Sequence, residues 1–190
     1  DLRELWERCL SGYELRPLFI NLLKEQGNEQ RGFGNVILRR LHEEQGYSPH
    51  LPVAFFEQWY RENNPDADLS AKARRVLEDE GVGVSNGNVW KRVQKYQVLA
   101  DGVMPALFEE ATGTQEGLKD VMERTLSASA MAQRIEQSRQ QMESESGRPV
   151  RLLLLLDEIT LFIGTNYGLL TELNALAEAI DEVGDGKILT

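Results

Sequence analysis

The sequence predicts an α/β fold, an open parallel sheet interrupted by a long helical insertion, and three observations predict it. Two short apolar segments, 16–23 and 150–156, lie far apart, and between them apolar residues recur at helical spacing. The second segment, Val-Arg-Leu-Leu-Leu-Leu-Leu, lacks alternating polar residues, which is the pattern of a strand covered on both faces in a parallel sheet. A helix and the start of another strand follow it, as in repeating α/β units.

Taken in order, apolar positions at Leu2, Leu5, Trp6, Cys9 and Leu10 have helical spacing. Residues 16–23, with Pro17 at the entrance, read as a short buried strand, with a helix as the alternative. Gly27 and Asn28 mark a break, and 33–45 is a helix with Val36, Ile37, Leu38 and Leu41 inward and Gly46 as its terminator. A helix over 53–61 carries Phe55, Phe56, Trp59 and Tyr60, which read as core rather than as a partner-binding face. Another helix spans 71–80, and 81–88 is a loop by composition. Residues 89–99 are amphipathic, and Pro105 is expected to open a further helix. Residues 114–146 read as one or two helices whose apolar stripe ends at Ile135, so the tail beyond is expected to be exposed. From Gly147 the character changes to the apolar strand, then a helix over 169–183, then a strand beginning near Lys187. Three regions follow: 1–46 with the first strand and helices, 47–147 as a helical insertion, and 148–190 with strand, helix and start of strand.

Bulk composition narrows the function classes. With 190 residues, 41% apolar and 27% charged, the chain is an ordinary globular one with room for a single core. Its longest unbroken apolar stretch, 152–156, is far too short to span a bilayer. The start, Asp-Leu-Arg-Glu-Leu-Trp-Glu-Arg, lacks the apolar core of a signal peptide, and its lack of Met leads us to expect a piece of a longer chain. One cysteine, Cys9, excludes an intrachain disulfide, fits a reducing, cytoplasmic setting, and reads as buried on its apolar helical face. A net charge of -10 gives no broad electropositive footprint, so nucleic-acid binding by this segment is not expected. Arg39-Arg40 and Lys91-Arg92 read as solvated helix faces. His42 and His50 have no ligand cluster at metal-binding spacing, and His42 reads as a helix-surface residue.

The chemistry is expected at Asp157 and Glu158, which end the apolar strand. In open parallel sheets, groups that handle ligands lie just beyond the carboxyl ends of strands. Two ionised carboxylates there are costly to bury and have no structural purpose of their own. The run therefore reads as a Walker B strand. Asp157 would hold Mg²⁺ through a bound water, and Glu158 would orient or deprotonate the water that attacks the γ-phosphate of ATP. Thr190, at the end of the next strand, stands where a polar residue could sense that phosphate. The plainer alternative has Asp157 capping the next helix and Glu158 simply solvated. No Gly, four residues, Gly-Lys and Ser or Thr occurs; Gly184-Asp-Gly-Lys187 follows a helix and precedes Ile188. The phosphate-binding loop is accordingly expected outside these residues.

The ending resembles a known family. Leu154-Leu-Leu-Asp-Glu-Ile-Thr-Leu-Phe-Ile-Gly164, a helix containing Leu173-Asn174, and Gly186-Lys-Ile-Leu-Thr190 are similar to the Walker B to sensor region of large P-loop ATPases of phage-defence systems, BrxC of BREX and PglY of phage growth limitation. Pro17-Leu-Phe-Ile-Asn21, Val36-Ile-Leu-Arg-Arg-Leu41, Gly46-Tyr47 and Leu51-Pro-Val53 resemble the strand and helix after the P-loop helix there. Thr160-Leu161 differs from the polar pair usual in that family. The resemblance implies an incomplete P-loop NTPase-like sheet and Mg²⁺-ATP hydrolysis driving conformational work. It also implies partner proteins of a defence complex, and a homo-oligomer in which a neighbour's arginine completes the site. Two rivals stand beside it: a non-enzymatic helical protein-interaction module, and a Mg²⁺-dependent nuclease needing a third carboxylate such as Glu172 or Asp181. Lacking its first strand and helix, the segment is expected to expose apolar sheet surface and to associate or dissolve poorly.

Overall fold

The computed structural model describes residues 12–25, 32–84, 87–123 and 126–190; the helix expected over 2–10, with Cys9, lies outside them. The chain is mixed α/β and forms two compact units, Asp1–Leu41 with Leu126–Thr190, and His42–Thr125.

The first unit holds the sheet. Strands β1 (Glu14–Asn21), β2 (Val150–Asp157) and β3 (Ile188–Leu189) run parallel in the order β1-β2-β3, so β2 is central. Glu14 lies opposite Val150 and Asn21 opposite Asp157, while Leu152 faces Ile188. Helices α1 (Phe33–Glu44), α7 (Ala128–Ser146), α8 (Ile159–Ile163) and α9 (Tyr167–Gly184) accompany the strands, and α9 packs against α7. The sheet departs from the expectation of two covered faces and agrees with that of exposed apolar surface: among the described residues one face is covered much less than the other. Leu18, Ile20, Val150, Leu152, Leu154 and Ile188 are buried, whereas Phe19 is 58% and its partner Leu155 40% exposed. An unbroken leucine run is compatible with one covered face or two, because both faces are apolar whichever is packed. Arg151, within that run, lays its guanidinium over the Tyr13 ring, 4.0 Å from the centroid.

Helix α7 corrects a second expectation. Beyond Ile135 its inward side does not end but turns polar: Glu136, Ser138 and Arg139 are all buried. Arg139 donates from Nε and Nη2 to the two Glu136 oxygens, both at 2.8 Å, and from Nη1 to Glu143 and to the Val150 carbonyl. Glu143 in turn accepts from the Val150 N–H at 3.0 Å. The last turns of α7 are thereby fastened to the first residue of β2 through charge-assisted bonds. Hydrogen-bonding patterns of this kind leave no apolar periodicity to read.

The second unit is helical: α2 (Leu51–Asn63), α3 (Leu69–Asp79), α4 (Val89–Lys95), α5 (Gln97–Thr112) and α6 (Leu118–Met122). Asp68 and Asn88 cap α3 and α4 by accepting from backbone N–H groups of their first turns. Phe56, Tyr60, Leu77, Trp90, Met104 and Leu107 share one core, as the aromatic spacing in α2 predicts. Pro105 does not open a helix; it lies inside α5. The break comes at Tyr96, whose backbone is extended, and the helix restarts at Gln97. Val103, Met104, Leu107 and Phe108, buried on either side of the proline, outweigh its lost hydrogen bond. His42 is a further correction, being buried with its ring edge-on to Tyr47 and Phe55 and its Nε2 3.0 Å from Gln58 Nε2. Among the described residues no helix is long and apolar enough to cross a membrane.

Candidate functional site

The parallel ladder delivers Asn21 and Asp157 side by side at the carboxyl ends of β1 and β2. The Asn21 amide Nδ2 donates to Asp157 Oδ2 at 3.4 Å, and Asn21 Oδ1 is buried with no partner among the described residues. A contact of 3.4 Å is at the weak end for a hydrogen bond. Glu158 follows in the left-handed region, with φ 64 and ψ 31. Few residues other than glycine hold that conformation, and the cost is of order 1–3 kcal/mol.

Glu158 is the N-cap residue of α8, yet its side chain makes no capping hydrogen bond. Its carbonyl accepts from Phe162 N at 3.0 Å. Phe162, fully buried, meets Phe33 edge-to-face with centroids 5.0 Å apart, which pins the short helix and therefore the turn at Glu158. The plainer alternative, Asp157 as the helix cap, does not describe this turn. Asp157 is half-buried within β2, and Glu158 is exposed, as that alternative has it.

Thr190 directly follows β3 and is exposed. It lines, with Asp157, Asn174 and several apolar side chains including Phe19, Leu155 and Ile180, a cavity of about 700 Å³. Among the described residues no lysine or arginine lines it. Glu158 is not among its lining residues, and the structure thus brings Asp157 and Thr190 to one cavity with Glu158 at its margin.

Glu172 is occupied elsewhere. It accepts from the Gly34 N–H at 3.2 Å, in the first turn of α1, where a negative charge is favourable. Two glycines make room: a β-carbon on Gly32 would stand 3.0 Å from Glu172 Oε1, and one on Gly34 would stand 1.7 Å from Met131 Sδ. Among the described residues no group of three or more His, Cys, Asp and Glu could hold a metal. Mg²⁺ held chiefly by a nucleotide asks for less. It takes one or two protein carboxylates in a hard oxygen set and keeps several waters. Asp157 and the adjacent Asn21 oxygen have the right donor chemistry.

The sequence signal that could have found Asn21 is a polar residue closing an otherwise apolar strand, at the end of a parallel sheet where ligands sit. No family model matches the chain, and neither a curated protein nor a solved structure matches it.

Proposed function

We propose that this chain contributes the acidic pair of a Mg²⁺-dependent P-loop ATPase, with the phosphate-binding loop supplied by sequence outside it. On this reading Asp157 holds the magnesium-bound water and Glu158 orients and deprotonates the attacking water. Bound Mg²⁺ would supply neutralisation of the charge that develops on the phosphates. Thr190 would sense the γ-phosphate. The parent would work in the cytoplasm, in the company of defence-complex proteins and further copies of itself.

One observation carries the reading. At the carboxyl end of the central strand stand two consecutive carboxylates, the second held at φ 64 with its side chain unused by the helix it precedes. Strain of this kind concentrates where side chains must be aimed. The engagement of Glu172 with α1 weighs against one of the two candidate third carboxylates of a nuclease.

The test is ATP hydrolysis by the full-length gene product and its Glu158→Gln variant. Losing a general base should lower kcat by about 10²-fold or more with nucleotide affinity retained. Unchanged hydrolysis in the variant, or a full-length sequence without a phosphate loop, would overturn the proposal and leave a helical interaction module as the better account.

A further inference from the structure

We infer that Asn21 is the positioning residue of this site, its amide holding the Asp157 carboxylate in the orientation a divalent cation requires; the inference rests on the ATPase reading. Three observations converge on it. Asn21 is the register partner of Asp157, so the two side chains leave adjacent strands at the same level. Its Nδ2 donates to Asp157 Oδ2, which leaves the other carboxylate oxygen for a ligand. Its Oδ1 is buried without a partner among the described residues.

The third observation distinguishes function from structure. A buried unsatisfied carbonyl oxygen costs about 1–3 kcal/mol, and leucine, with the same branching though a larger volume, carries no such group. A residue selected only to pack at the end of β1 would be apolar, as Leu18, Phe19 and Ile20 before it are. The amide is kept at a stability cost, and one of its two N–H donors points at the carboxylate. The bond is long, as catalytic hydrogen bonds often are before ligand binding draws them together. Groups that orient a metal-binding carboxylate typically matter 10- to 100-fold, or about that, in metal affinity.

The experiment uses the full-length protein with ADP and Mn²⁺ as the probe, bound metal being read by electron paramagnetic resonance and unfolding by calorimetry. Asn21→Leu should weaken Mn²⁺ binding roughly tenfold or more, while the thermal midpoint stays level or rises. Asn21→Ser, whose hydroxyl is too short to reach Asp157, should weaken binding similarly and serves where the leucine variant does not fold. Wild-type Mn²⁺ affinity in either folded variant overturns the inference and leaves the ATPase reading standing. Failure of the unsubstituted protein to bind Mn²⁺ with ADP overturns both.

Discussion

Among the described residues each unit of the molecule buries one carboxylate, and they satisfy it differently. In the helical unit Glu57 is 1% exposed and is reached by Gln94 Nε2 at 2.6 Å and by Arg61, whose own side chain is 56% exposed. In the sheet unit Glu136 is 8% exposed and its partner Arg139 only 2%. Arg61 thus keeps much of its hydration, whereas Arg139 gives its up and recovers it from two carboxylates and the Val150 carbonyl. The helical unit has a broad apolar core of aromatic and aliphatic side chains, to which the acid is an accessory. The sheet unit packs one sheet face, and a network of buried charge fastens strand to helix. A buried pair of this second kind is hard to lose one half at a time.

Breaking the contrast at its strongest point gives the largest expected effect. Arg139→Met should destabilise the chain by about 3–5 kcal/mol, because Glu136 is then left buried and unpaired. Acid should sharpen the result. Burial acts to raise the Glu136 carboxyl, but hydrogen bonds from Arg139 and Gln140 prevail and hold it below its ordinary value. The Val150 N–H, followed by Arg139, depresses Glu143 likewise. A depressed carboxyl contributes stability that is complete above the unfolded value near pH 4.3 and is lost as pH falls through the folded value. Urea melts from pH 6 downward should therefore show a steeper acid loss in the wild type than in Arg139→Met.

Gly34→Ala should come next. The added carbon meets Met131 Sδ, so the methionine must move from a packed position, at about 1–3 kcal/mol. Combining it with Met131→Ala should recover part of that loss, and a double-mutant cycle that is strictly additive would refute the contact. The smallest effect belongs to the helical unit's surface. Glu110 accepts from Lys72 and, at 2.5 Å, from Arg75, and these bonds hold its carboxyl below the ordinary range. With partly exposed partners, Glu110→Gln should cost under about 1 kcal/mol and less still at high salt, as denaturant midpoints at two salt concentrations would register.

The legible parts of this molecule were those written in apolar periodicity. The leucines of β2, the helical spacing of α1 and α2, and the acidic pair closing the strand can all be read from residue type and position. What escaped is written in polar side chains whose partners lie elsewhere. Arg139 looks like any solvated helix charge until Val150 is seen beside it. His42 reads as a surface residue because nothing in its own helix announces Tyr47 and Phe55. Pro105 reads as a helix start because proline is commonest there, and the packing of Met104 and Leu107 overrides the rule. Asn21 needed its opposite number, and register between strands so distant cannot be counted from sequence. The left-handed turn at Glu158 carried no signal at all, since the residue that bears it is not glycine.

The pairing of Asn21 with Asp157 joins residues 136 apart along the chain, with the whole helical unit encoded between them. On the ribosome β1 emerges first and finds its strand partner only after those residues are made, on the order of ten seconds later at ordinary elongation rates. During that wait Leu18 and Ile20 lack β2 beside them, while the contacts of α2 to α6 are close in sequence and quick to form. Once folded, the helical unit shortens the effective loop that β1 must close. Translation order thus favours a division of labour in which the unit without the acidic pair is finished first and the sheet that carries the pair is assembled last.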